Sequence, residues 1–269
     1  MRKDPPLCYL LPMLRPLLAS LCLGLPSIAA LAQATEEVPF ITSPDNVTME
    51  MLRMANVGPA DHVIDLGSGD GRIVILAAKR FGASGMGVEI VPDLVRQSRR
   101  NAQDAGVAGR VEFREQDLFR TDLSPATVVT MYLLPEVNLQ LRPAILALRP
   151  GTRVVSHDWD MADWQPDRMT ILQVPDKAVG LEKSSKVYLW VVPAKVDGLW
   201  CSGTASLNVT QKYQVVEARI ADGGAELALT GVVDGKTVRL SAAGRPRRRS
   251  APVRRHRRRC ARRPPGASA

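Results

Sequence analysis

The chain has 269 residues, 45% of them apolar and 23% charged, with a formal net charge of +9. That length holds one large domain, or one domain with an appendage, and the composition is that of a globular protein. The charge is local: eleven arginines in residues 245–269 and a net +2 over residues 1–34 exceed the total, leaving −4 for residues 35–244. The body therefore offers no basic field for a polyanion, and 4% aromatic residues give no base-stacking platform, so no nucleic acid partner is expected for it.

Residues 1–34 have the pattern of an export leader: early basic residues, the apolar run Leu17–Leu25, and Ala32-Gln33-Ala34 as a small-x-small cleavage site. Met13 is an alternative start. The run is short for a membrane span, which needs about 20 residues. The segment is read as a signal peptide or an uncleaved N-terminal anchor, which implies an exported or membrane-associated protein, or an anchored one with its domain on the cytoplasmic side. Trimming leader and tail leaves Cys201 as the one cysteine of the body, which excludes a disulfide framework and a CxxC metal site there. No metal is expected.

From Pro44 a helical period begins, Val47, Met51, Met54 and Ala55, with Ser43 as its candidate N-cap. Strands are predicted at His62–Leu66, Gly85–Ile90, Val111–Glu115, Thr127–Leu133, Thr152–Ser156, Met169–Val174 and Val187–Pro193. Helices are predicted at Ile73–Phe81, Pro92 to about Ala105, and Glu136–Leu148. This alternation predicts an α/β fold, a Rossmann-like, mostly parallel sheet with helices on both faces. The short link between the last two strands predicts that they pair antiparallel. Residues 196–243 change character, with short alternating runs and Asp-Gly pairs at 197–198, 222–223 and 234–235, and are read as a small C-terminal β-appendage of about four strands. Residues 245–269 are too poor in apolar residues to fold. They suit an out-of-frame end to the coding sequence, or an arginine tail for nucleic acid or anionic lipid.

The chemistry lies in the first half of the body. Val63-Ile-Asp-Leu-Gly-Ser-Gly-Asp-Gly71 is an apolar run that ends in an acid and three glycines spaced GxGxG, not the GxGxxG of dinucleotide enzymes. No Lys-Ser/Thr follows, and Asp70 would repel a phosphate while attracting an α-amino group or a sulfonium. Asp65, Asp70, Glu89 and Asp117 all fall at or just beyond strand C-termini, the edge where open α/β sheets bind ligands. Four acids around an adenosine-type site point to S-adenosyl-L-methionine.

Over residues 43–194 the chain resembles the class I S-adenosylmethionine-dependent methyltransferases. Asp65–Gly71 matches their first motif, Val88-Glu89 their second, and Gln116-Asp117-Leu118-Phe119 the segment that faces adenine. Asp65–Ala78, Glu89, Ser98-Arg99 and Asp117-Leu118 are similar to the ATP synthase c-subunit lysine N-methyltransferase family and its bacterial relatives. The resemblance implies a seven-stranded sheet with an antiparallel last strand. It implies that Glu89 holds the ribose hydroxyls, that Asp117 with Leu118 faces the adenine, and that Asp65 with Gly67, Ser68, Gly69, Asp70 and Gly71 holds the methionine part. It also points to a protein lysine as the methyl acceptor.

The acceptor edge is expected at the ends of the fourth and fifth strands, where the Asn/Asp-Pro-Pro-Tyr/Phe motif of amide and adenine methyltransferases is absent. Tyr132, Glu136, Asn138 and Trp159 are the candidates to shape an acceptor channel, with Trp164 a further wall. His157 and Asp158 are the candidate catalytic residues for deprotonation. The bland alternative is that His157 ties down a loop. The functional readings are thus an S-adenosylmethionine-dependent methyltransferase or, alternatively, an exported methyltransferase-like binding protein with weak or no catalysis.

Overall fold

The computed structural model describes residues 41–178 and 181–242. The leader and the arginine-rich tail lie outside these residues. A seven-stranded sheet is built from β1 (His62–Leu66), β2 (Ser84–Glu89), β3 (Val111–Glu115), β4 (Val128–Met131), β5 (Arg153–His157), β6 (Arg168–Gln173) and β7 (Ser184–Val191). Its order is β3-β2-β1-β4-β5-β7-β6. Pairs from β3 to β5 are parallel, whereas β7 runs antiparallel to both β5 and β6. The six-strand parallel set with one reversed strand agrees with the alternation in the sequence, and the order reverses at β1/β4, the place where open α/β sheets bind ligands.

Helices α1 (Asp45–Met54), α2 (Arg72–Phe81) and α3 (Pro92–Asp104) cover one face, and α4 (Pro135–Leu146) the other. Their ends fall where the sequence permits: Pro92 and Pro135 occupy first-turn positions, and Gly82 ends α2 in the left-handed region at φ 72°. The core is in two layers. Val47, Met51 and Leu52 of α1 pack with Val63, Val128, Val155 and Leu189 on one face; Leu66, Met131, Leu141, Ile145, Trp164 and Trp190 meet on the other.

Between β5 and β6 the chain forms neither helix nor strand. Residues 158–167 are irregular, yet Met161 and Trp164 among them are fully buried. Ser43 is not the N-cap of α1: Pro44 occupies that position without a side-chain cap, and the Ser43 hydroxyl bonds elsewhere.

A second, antiparallel sheet follows, with β8 (Gly198–Ser202), β9 (Ala205–Lys212), β10 (Val215–Asp222), β11 (Ala225–Asp234) and β12 (Thr237–Ala242) in the order β12-β11-β10-β9-β8. It has five strands where four were expected. The additional β8 is anchored by Trp200, whose Nε1 donates to the Val196 carbonyl at 2.8 Å. Among the described residues no helix is long and apolar enough to cross a membrane.

Candidate active site

The glycine loop leaves β1 at Leu66 and enters α2 at Arg72. Gly67, Gly69 and Gly71 have φ values of 71°, 53° and 81°, a region open to glycine and strained for other residues. Gly71 is also wedged sterically: a Cβ there would come within 2.6 Å of the Phe113 ring and 2.8 Å of Ser98. The loop is bound to the second strand twice over. Gly67 and Ser68 donate their N–H groups to the Val88 carbonyl, and Gly69 donates its N–H to Glu89 Oε2 at 3.0 Å.

Glu89 is thereby fixed at the end of β2, and its other oxygen accepts the N–H groups of Ile90 and Val91. Asp117, at the end of the chain running out of β3, caps a 3-10 turn (Leu118–Arg120) by accepting the Phe119 N–H at 2.8 Å. Close after the two acids stand Ile90 and Phe119, large apolar side chains that are 64% and 50% exposed. Two carboxylates, each followed by an exposed apolar face, suit a flat, hydrogen-bonding ring system with an attached sugar. Motif matching takes in Phe119 within Gln116–Phe119 but not Ile90, whose place directly after Glu89 was the available signal. Leu118 turns its side chain into the core.

Asp65 is 2% exposed and accepts the Thr130 hydroxyl at 2.7 Å. Burial, with the nearby charges of Glu89 and Asp70 adding to it and the Thr130 bond opposing it, pushes its carboxyl up to about 7. A cation arriving beside this group would stabilise its ionised form, so the site favours a positively charged ligand. Asp70 does not serve as a free acid, as its place in the loop suggests. Its carboxylate is held by Arg72, at 2.7 Å from Nη2 and 3.0 Å from Nε, and it lines a cleft of about 390 Å³ between the helices, with Thr48 and Asn101. Its charge is paired with the Arg72 guanidinium there. Ser68 Oγ is buried, directed toward Gly87 and Phe113.

The acceptor candidates also separate. Tyr132, at the end of β4, stacks on His157 with ring centroids 3.9 Å apart. His157 is 1% exposed, with Ser43 Oγ 2.8 Å from Nδ1 and Ser185 Oγ 3.0 Å from Nε2. Burial lowers its pKa to about 4, against the opposing pull of Asp158 and with the help of Lys177. Both ring nitrogens are engaged and the ring is neutral, so the expectation of a catalytic base at His157 is corrected: it is a buried tie between the approach to α1, β5 and β7. Asp158, at φ 61°, is likewise occupied, by Lys177 Nζ at 2.7 Å and the Lys186 N–H at 2.9 Å.

Asn138, buried in the first turns of α4, donates to Ser156 Oγ and to the carbonyls of Trp159 and Asp160, each at 3.3 Å. It positions the segment after β5 and does not itself face solvent. Glu136 is exposed in the first turn of α4, and Trp159 is 42% exposed. Beyond the ends of β4 and β5, Glu136, Trp159 and Asp160 are thus exposed and Tyr132 is half-buried.

Residues 65–168 match the ANTKMT methyltransferase domain family. A protein-lysine N-methyltransferase of Saccharolobus islandicus is 41% identical over 157 residues, which are 58% of this chain and 94% of that protein. The chain belongs to the class I S-adenosylmethionine-dependent methyltransferases, in the family of the ATP synthase c-subunit lysine N-methyltransferases and their microbial relatives. The c-subunit lysine N-methyltransferase of mouse ATP synthase is 35% identical over 59% of this chain, but the match spans only 58% of that relative. A crystal structure described as an RNA methyltransferase from Salinibacter ruber in complex with S-adenosyl-L-homocysteine is 52% identical, with a TM-score of 0.52, covering 58% of this chain and 96% of that one. The methyltransferase's cofactor is S-adenosyl-L-methionine, and its glycine loop, Glu89, Asp117 and the flanking Ile90 and Phe119 fit it. The alternative of a non-catalytic binding protein gains no support from these relatives.

Proposed function

We propose that this methyltransferase acts on the side-chain amine of a protein lysine. The observation that carries the reading is the acceptor edge itself, open to solvent and bordered by the exposed acids Glu136 and Asp160. An edge of that sign draws in an ammonium group and opposes a polyanion. The names of the Saccharolobus and mouse relatives support the same acceptor.

The cofactor, held along Gly67–Gly71 and by Glu89 and Asp117, supplies an electrophilic methyl group on its sulfonium. The chain's own part is alignment. Tyr132, fixed by its stack on His157, walls the acceptor side, and Trp159 faces it from the segment after β5. The amine's proton leaves through the open edge to water, since neither His157 nor Asp158 is free to take it.

A second reading, RNA as acceptor, is favoured by the name of the Salinibacter relative alone. The net charge of −4 over residues 35–244 argues against it. Incubation with radiolabelled S-adenosylmethionine, whole-cell protein and whole-cell RNA in parallel, followed by acid hydrolysis, tests both. Methyl-lysine is the expected product; label confined to RNA would overturn the proposal.

Residues 1–34 are proposed to act as an export leader or anchor. N-terminal sequencing of the protein from envelope and cytosolic fractions tests this, and a cytosolic form that retains residues 1–34 would contradict it.

A further inference from the structure

We propose that the turn between β9 and β10, residues 212–214, is a positioning element for acceptor recognition: it holds the acceptor-side segment Trp159–Gln165 in place from the C-terminal sheet. The inference rests on the lysine-acceptor reading above. It starts from an anomaly in the fold. Residues 158–167 connect β5 to β6 with neither helix nor strand; backbone bonds to β7 hold their two ends, the Asp158 N–H to the Lys186 carbonyl and the Asp167 N–H to the Leu189 carbonyl. They nevertheless carry Trp159, one wall of the acceptor edge.

Side chains from α4, β5, β7 and the second sheet hold this segment, the Trp190 Nε1–H of β7 donating to the Trp164 carbonyl at 2.7 Å. At its start, Asn138 and the Ser156 hydroxyl bind the Trp159 carbonyl, at 3.3 and 2.6 Å. At its end, the second sheet takes over. Gln214 accepts the Trp164 Nε1–H at 3.0 Å and donates to the Gln165 carbonyl at 2.7 Å, while Trp164 and Gln214 are both buried. Tyr213 donates its hydroxyl to Asp163 at 3.1 Å and lays its ring against Trp164, with centroids 5.8 Å apart. Lys212 Nζ lies 3.2 Å from the Asp163 carboxylate. Arg142, one turn beyond Asn138 in α4, closes the ring of contacts: it binds Asp163 and the Met161 carbonyl and lies over the Tyr213 ring.

Tyr213 adopts a left-handed backbone, φ 53°, to make these contacts. A non-glycine residue in that region is costly unless its surroundings fix it; here the hairpin, the Gln211 Nε2 bond to the Tyr213 carbonyl at 2.7 Å and the contacts to the segment after β5 do so together. The Saccharolobus and Salinibacter relatives are each matched nearly end to end by 58% of this chain. The chain therefore carries structure beyond what those proteins share with it, and its second sheet meets the rest of the chain in two places: the 212–214 turn bonds to Asp163, Trp164 and Gln165, and the Gly235 carbonyl accepts the Ala194 N–H after β7.

The test uses the full chain with the double substitution Tyr213→Phe and Gln214→Met, which keeps volume and ring stacking but removes the bonds to Asp163, Trp164 and Gln165. Methyl transfer is measured with denatured whole-cell protein as the lysine pool, and cofactor binding by calorimetry. The expected result is an apparent KM for the lysine pool raised about tenfold, with kcat and the cofactor Kd each within about twofold of wild type. An unchanged acceptor KM would overturn the inference and leave the lysine reading intact. A parallel loss of cofactor affinity would also overturn it, since that would mark a general loss of structure. If the double variant does not fold, Tyr213→Phe alone is measured; it should raise the acceptor KM about threefold with cofactor binding unchanged, and an unchanged KM would overturn the inference. Absence of lysine methylation by the wild-type chain would overturn the lysine reading and this inference with it.

Discussion

Ser43 Oγ lies 2.8 Å from His157 Nδ1, and the Ser43 carbonyl accepts the Arg72 guanidinium at 3.0 Å. A single residue ahead of α1 is thereby tied to the acceptor side through β5 and to the glycine loop through the Arg72–Asp70 pair. The approach to α1 acts as a strap across the two halves of the active-site edge. This is why His157 has no freedom to move protons.

His157 accordingly contributes to stability and not to the chemical step. Replacing it with Leu leaves the Ser43 and Ser185 hydroxyls buried without partners and should destabilise the fold by about 2 kcal/mol. In denaturant titrations this appears as a lower midpoint. The pH profile of kcat in the milder His157→Gln variant should keep the wild-type shape; loss of a limb near pH 6 to 7 would restore the base assignment.

Two buried groups set opposing pH dependences. His157 is neutral when folded, with a pKa of about 4 against an ordinary 6.5, so the unfolded chain binds the extra proton between those values and stability falls as pH drops through that window. Asp65 stays protonated in the fold up to about pH 7, against 3.8 ordinarily, so the folded chain holds the extra proton and stability falls as pH rises from about 4 to 7. Removing the carboxylate by Asp65→Asn should leave only the histidine trend: stability of the variant rises between pH 4 and 6.5 more steeply than that of the wild type.

The same carboxyl links cofactor binding to protons. A cationic ligand beside Asp65 favours its ionised form, so binding at pH 6 should release a proton and tighten as pH rises to 8. Calorimetry in buffers of different ionisation enthalpy measures that release. Asp65→Asn should abolish it.

Phe113 fills the space behind the loop, and a Cβ on Gly87 would come within 2.6 Å of its ring and of Ser68 Oγ. Gly87→Ala is expected to cost about 2 kcal/mol through overpacking. Adding Phe113→Leu should recover part of that loss, a coupling a double-mutant cycle by thermal unfolding would read.

At the opposite end of the strands, Arg153 bridges the Asp61 carboxylate and the carbonyls of Ala55 and Asn56. Arg153→Met strands a largely buried Asp61 and should destabilise by about 3 kcal/mol. Cofactor affinity should not change, because no part of the glycine loop is involved. A matching fall in affinity would show that the two ends of the sheet are coupled.

Much of this was legible in the sequence because it is local. Alternating apolar runs and helical periods mark seven strands and four helices, and the spacing of Asp65, the glycines, Glu89 and Asp117 puts them on one edge. What was not legible depends on long-range pairing. Ser43 has the local chemistry of a helix cap, but its hydroxyl meets His157, 114 residues away. Asp70 reads as a free acid until Arg72, two residues on, folds back on it. Thr130, which holds Asp65, is an ordinary strand residue with no sequence signal. The segment after β5 has no period at all, since its place is fixed by Asn138 and Gln214 from elements on either side in the chain.

The central claim, that Glu89 and the glycine loop form the S-adenosylmethionine site, is tested most directly by calorimetric titration of the chain and of Glu89→Ala with that cofactor. Glu89 both fixes Gly69 and faces the site, so the substitution should weaken binding by at least about a hundredfold, or about 2.7 kcal/mol. Affinity in Glu89→Ala equal to that of the wild type would contradict the account.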